Sequence, residues 1–174
     1  MATTAAGTPY VESSDLVANY PGVSLSLANH IDGLDGGKVL QVVSANFTGS
    51  VTTTSATYVT TNITAIITPS LSTSKVLIMA NLPVATDTSA EVANYTLFRG
   101  TVAGTNLMAS NGFTNLYNSA GRIYALAACN FLDSPATASA QTYTIGLKRA
   151  AGTSTVSANF STTTATIILM EVSA

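Results

Sequence analysis

Charge is what this chain has least of. Lys, Arg, Asp and Glu make up 8% of its 174 residues, against roughly 25% in an average soluble protein. The six basic residues are scattered, only Lys148 and Arg149 being adjacent, and the formal net charge is −2. That excludes nucleic acid as a partner, because holding phosphates takes several clustered Lys or Arg side chains. Cysteine is almost missing too. Cys129 is the only one, so no intrachain disulfide can form, and its setting in the apolar run IYALAACNF marks a buried, inert thiol. No apolar run approaches the roughly 18 residues of a membrane span, so membrane insertion is not expected. MATTAAGTPYVES lacks the basic start and apolar centre of a signal peptide. The expectation is a chain that stays where it is made or leaves as part of an assembly.

The residues that catalysis needs are equally sparse. His30 is the only histidine and falls in a helical section, far in sequence from most carboxylates. It reads as a solvated helix residue, or as a seam residue whose copies meet on a symmetry axis. In the second case assembly weakens below about pH 6, because like charges are brought together. Asp32 and Asp35 sit beside Gly36-Gly37 and suit caps and turns, since a calcium loop needs more oxygen ligands at close spacing. Asp87 and Glu91 in DTSAE read as solvated loop charges. Gly100–Gly104, GTVAG, lacks the Lys-Ser/Thr of a phosphate loop and has no helix after it, so it is a hairpin turn. Asn46, Asn62, Asn94 and Asn159 match the glycosylation sequon, which a chain this rich in Asn, Ser and Thr produces by chance. No catalytic residue, metal site or cofactor is indicated, and the chain reads as a non-enzyme.

Threonine, serine and asparagine take the place of charge, while hydrophobic residues remain at an ordinary 47%. Low hydrophobicity and high net charge, the marks of disorder, are both missing. The length suits one ordinary domain. From Lys38 to Met79 three β-patterned runs follow one another with only Lys38 and Lys75 ionisable. A lone soluble sheet keeps one face wet with charge and guards its edges with lysine. Strands dressed in threonine suit packing against more protein, as in a shell or fibre.

Strands are expected at Val39–Phe47, Ala56–Thr68, Lys75–Leu82, Ala93–Arg99, Gly112–Asn118, Arg122–Phe131, Gln141–Arg149 and Thr163–Val172, with a weaker one at Val156–Phe160. In the second, Val59, Thr61, Ile63, Ala65 and Ile67 share one face and Tyr58, Thr60, Asn62, Thr64 and Ile66 the other. Pro83 is expected at the edge or end of its strand. No helix separates the strands, which leaves an antiparallel β-sandwich, with a jelly roll as its expected form.

Ahead of the sheet lies an arm and a short helical section. Ser13-Ser14-Asp15 offers an N-cap, and Pro21 breaks the helix or opens a second one. Leu16, Tyr20, Val23, Leu27 and Leu34 recur at heptad spacing, with His30 at the missing seam position. So short a coil is weak alone, and reads as an oligomer contact or attachment segment. The organisation is therefore residues 1–37 as arm and short helix, and 38–174 as the β-sandwich. One further cluster mixes aromatic and amide groups. Phe113 and Tyr117 lie in Asn111–Asn118, with Arg122 and Tyr124 close behind. Such groups suit sugar hydroxyls, and they equally suit cross-strand pairs.

TPYVESSDLVANYPGVSLSLANHID resembles the N-terminal segment of tail-fibre and minor-tail proteins of tailed bacteriophages. GKVLQVV, TTTSATYVTTNITAIITPSLSTSKVLI and YTLFRG resemble the β-domain of phage fibre-type proteins. Together these segments cover Thr8–Asp32 and Lys38–Gly100, and the likeness is loose beyond Thr101. The resemblance implies a virion component assembled in the bacterial cytoplasm, homotrimeric, held to other capsid or tail proteins by its N-terminal segment, with the β-domain projecting. The chain has no repeats that could form a shaft, which favours a capsid decoration, head-fibre or short distal tail protein. The alternative is a receptor-binding adhesin that recognises a host surface glycan.

Overall fold

The computed structural model describes residues 2–3, 9–10, 20–32, 37–88, 90–160 and 162–174. They form two compact units, one within residues 1–38 together with Ser173–Ala174, the other Val39–Val172.

In the smaller unit β1 (Ala2–Thr3) pairs antiparallel with β2 (Pro9–Tyr10). The helix α1 covers Tyr20–Asp32. Pro21 stands in its first turn, where a missing N–H forfeits no helical bond. Gly37 takes a positive φ of 79°, open to glycine because it has no Cβ. The turn is tied by Ser173 N donating to Lys38 O at 2.9 Å. Of the seam residues, Tyr20, Val23, Leu27 and His30 fall on α1, and Leu27 is exposed together with Leu25. Leu16 and Leu34 lie outside the described residues, as do the side chains of Tyr20, Val23 and His30.

The larger unit is built from β3 (Val39–Thr48), β4 (Val51–Thr53), β5 (Val59–Ile67), β6 (Lys75–Thr86), β7 (Glu91–Arg99), β8 (Thr105–Asn106), β9 (Thr114–Asn118), β10 (Ile123–Asp133), β11 (Gln141–Ala151), β12 (Val156–Ala158) and β13 (Thr164–Val172). Every pairing is antiparallel. One sheet runs β3-β13-β6-β10, with β12 and β4 continuing beside the far half of β6. The other runs β5-β11-β7-β9, with β8 beside the end of β7. Numbered in chain order, the eight principal strands read 1-8-3-6 in one sheet and 2-7-4-5 in the other. That is the double Greek key of a jelly roll, so the sandwich expected from the strand pattern is the fold.

The period of two decides what the sandwich encloses. On β5 Thr61, Ile63, Ala65 and Ile67 are buried, while Thr60, Asn62 and Ile66 are exposed. The inner faces of β6, β7, β11 and β13 contribute Val76, Ile78, Leu82, Leu97, Ile145, Leu147, Ile167 and Leu169 to one continuous core. Burying each of these side chains is worth about 1.5–3 kcal/mol. Tyr95 spans the layers, its hydroxyl donating to Ser157 O at 2.6 Å.

Pro83 differs from its expected place. It lies inside β6, a central strand, opposite Leu126 of β10. On the other side of β6, pairing with β13 ends at Asn81 and pairing with β12 begins at Val84. The proline therefore occupies the gap between two partner strands, and its carbonyl accepts from Asn159 N at 2.7 Å.

Candidate interaction surface

Three adjacent strands of the six-stranded sheet, β13, β6 and β10, carry apolar residues in unbroken runs. Val76-Leu77-Ile78-Met79 on β6 and Ile167-Ile168-Leu169-Met170 on β13 are the clearest. Runs without polar alternation belong to strands covered on both faces. Here the larger unit covers only one. Val76, Ile78, Ile167 and Leu169 point into the core, which leaves Leu77, Met79, Ile168 and Met170 on the outside.

Register assembles those outer side chains into rows. Val42, Met170, Leu77 and Leu132 form one row across β3, β13, β6 and β10. Ser44, Ile168, Met79 and Asn130 form the next, and Asn46, Thr166, Asn81 and Ala128 the third. Beyond them Leu126 stands beside Pro83, and Tyr124 beside Ala85. Lys75, the first residue of β6, is the only Lys, Arg, Asp or Glu on the outer face of these four strands. Leu126 is 69% exposed, Tyr124 55%, Val42 54% and Leu132 51%. With Val39 and Leu40 these side chains expose on the order of 600 Å² of apolar surface, at the upper end of what a monomer carries.

Three of the four carboxylates of this unit are buried instead. Glu171 is fully buried on β13, accepting from Gln41 Nε2 and Ser70 N, both at 2.6 Å. Burial pushes its carboxyl up, but donors on Gln41, Ser74 and Ser70 outweigh that and hold it below its ordinary value. Glu91 is fully buried as well and accepts from Thr153 N at 2.6 Å and from Ser154 N. It is no solvated loop charge. The amides that seat it come from the β11–β12 turn, and Gly152 lies so close that a Cβ there would be 2.3 Å from its carboxyl carbon. Asp133 takes Arg99 Nη2 and Nε, each at 2.9 Å, and the Tyr143 hydroxyl at 2.8 Å. Burial and the neighbouring Asp133 raise the Tyr143 hydroxyl above its ordinary value. Asp87, the fourth, pairs with Arg122 at 2.9 Å.

The sequence-chosen aromatic cluster is only partly assembled. Arg122 lies over the Tyr124 ring at 5.1 Å, and Tyr124 packs against Phe160 with ring centroids 4.5 Å apart. Tyr117 is exposed on β9 opposite Val92. Phe113 is half-buried against the core, its N–H donating to Tyr95 O at 2.9 Å. Among the described residues neither ring stacks on the Tyr124–Phe160 pair. Phe160 lies 36 positions further along the chain, which hid its contact with Tyr124; Leu77, Leu126 and Met170 stand in uninterrupted apolar runs that were visible, whereas Val42 and Leu132 are set among polar residues. Burial pushes the Cys129 thiol up to about 11, in line with an inert side chain. Among the described residues no three His, Cys, Asp or Glu side chains are grouped to hold a metal ion, and no helix is long and apolar enough to cross a membrane.

No protein-family model and no curated protein sequence matches the chain. Solved structures of infectious bursal disease virus resemble it weakly. The structure of the Gt strain aligns with a TM-score of 0.44 and 13% identity over 79% of this chain and 39% of that one. The VP2 subviral particle aligns at 0.42 and 14%, over 77% and 38%. The chain thus spans about two fifths of the length of the solved chains it matches. At these values the likeness carries no functional argument.

Proposed function

We propose that this chain is a non-enzymatic structural protein of a virus particle, and more narrowly a homotrimeric fibre-type or capsid-decoration protein of a tailed phage. In this reading residues 1–37 attach it to other capsid or tail proteins, and the jelly roll is presented outward. The fold by itself does not decide, since jelly rolls serve capsids, lectins and enzymes alike. The observation that carries the reading is the outer face of the six-stranded sheet, apolar in rows and almost free of charge. Such a face belongs against protein, and its area approaches the ~800 Å² that each partner contributes to a stable interface. The exposed Leu25 and Leu27 of α1 support a second contact in the helical segment.

The test is the mass of the purified full chain by light scattering across a concentration series. Three chains or more are expected, falling when Val42→Lys and Leu132→Lys place charge on the outer face without lowering the melting temperature by more than a few degrees. A strict monomer at every concentration, with no capture by the particle, refutes the reading. A glycan-binding adhesin is the second reading, favoured by the Arg122–Tyr124–Phe160 cluster. Adsorption to host cells that is abolished by Tyr124→Ala would select it.

A further inference from the structure

Strand β10 closes the six-stranded sheet and has β6 as its only partner among the described residues. Eleven consecutive residue pairs join the two, from Ile123↔Thr86 to Asp133↔Val76, with no shift of register. The opposite edge of β10 therefore offers a long, regular row of backbone N–H and C=O groups. Edges of this kind are normally blunted by lysine, proline, a bulge or brevity. β10 has none of these. An inward-pointing charge also guards edges, but the one on β10, Asp133, is the last residue of the strand and is matched by Arg99 and Tyr143. The other long edges are different. β3 follows Lys38 and is interrupted by a bulge against β13 at Glu171/Val172. β5 is irregular against β11 and carries Thr60, Asn62 and Thr64 outward.

We propose that the free edge of β10 is an interface with β10 of a second copy of this chain, the two strands pairing antiparallel about a two-fold axis at Ala128. Ala128 is the midpoint of Ile123–Asp133, so this register pairs the whole strand with itself. On the outer face Tyr124 then stands opposite Leu132, Leu126 opposite Asn130, and Ala128 opposite its own copy. No like charges meet, which is the condition for self-pairing of a strand. The apolar rows of both copies become one surface across a continuous sheet. Such a contact uses none of the helical seam and would join one trimer to the next. It rests on the reading that the chain self-associates.

The experiment exploits the axis. Ala128 is exposed, so Ala128→Lys and Ala128→Glu leave the core untouched, and melting curves confirm folding. In the full chain each variant alone sets two like charges face to face, and its association beyond the basic oligomer should weaken about tenfold or more. Mixing the two variants in equal amounts should restore wild-type mass, since lysine then faces glutamate. Two variants that each assemble like wild type overturn the β10 interface and leave the structural-protein reading standing. Two variants that both dissociate but fail to recover on mixing overturn pairing at this axis, a result that would instead fit docking of a foreign strand. A wild-type chain that never associates overturns the β10 interface, and one that is also not captured by the particle overturns both readings.

Discussion

Removing the Asp133 carboxylate is the perturbation whose size can best be worked out from the structure. Asp133 joins the two layers, since it stands on β10 while Arg99 and Tyr143 belong to β7 and β11 of the other sheet. In Asp133→Ala the Tyr143 hydroxyl, on a residue fully buried, loses its acceptor, and an unsatisfied buried hydroxyl costs about 1–3 kcal/mol. Arg99 loses two contacts of 2.9 Å. A fully buried charge left alone costs about 3–5 kcal/mol, but the Arg99 side chain is 28% exposed. Water reaches it, so about 2 kcal/mol is the better figure after discounting for screening. The sum is about 3–5 kcal/mol for Asp133→Ala, and roughly half of that for Asp133→Asn, whose amide oxygen still accepts from Tyr143. Urea unfolding at fixed protein concentration reads this directly. With a slope of about 2 kcal/mol per molar for a domain of this size, the midpoint of Asp133→Ala falls by about 1.5–2.5 M. Adding Arg99→Met to Asp133→Ala should recover part of the loss, because the stranded cation is gone. A midpoint shift below about 0.5 M, or single effects that simply add in the double variant, would refute the account of this bridge.

Two further measurements bear on the buried glutamates. Glu171 titrates below its ordinary value in the folded chain, so its stabilising contribution is complete above the unfolded carboxylate value, about 4.3, and is lost as pH falls through the lower folded value. Stability measured from pH 6 to pH 3 should therefore fall more steeply for the wild type than for Glu171→Gln, and parallel curves would count against the assignment. Gly152→Ala should destabilise by about 2–4 kcal/mol, since its Cβ would collide with the Glu91 carboxyl and its φ is +98°; thermal melting checks this, and an unchanged midpoint would mean that the turn is not seated on Glu91.

What could be read in the sequence follows the range over which each feature is built. The alternation along β5 is local, and Thr61, Ile63, Ala65 and Ile67 are buried as it predicts. The sandwich follows from repeated strands without intervening helices. Pro83 was misplaced because a proline rules out only its own ladder bond. The break between β13 and β12 that accommodates it is set by residues about 80 positions away. Glu91 passes for a loop charge for the same reason, since Thr153 and Ser154 come 62 and 63 residues later. The outer face was half legible. The runs at 76–79 and 167–170 lack polar alternates, yet only register shows that Leu77 and Met170 are neighbours and that Val42 and Leu132 complete their row.

The position of β13 gives the sheet a clock. It lies between β3 and β6, pairing Thr164 with Thr48 and Val172 with Val39 on one side. Strand β3 is made early and must wait for residues synthesised more than a hundred positions later, some 6–25 s at ordinary translation rates. Pairing so distant in sequence is also intrinsically slow. Until β13 inserts, Met170 and Ile168 are missing from the middle of the outer rows, and β3 and β10 are not parts of one surface. An incomplete chain thus lacks the joined rows, and they exist only in copies that have finished folding.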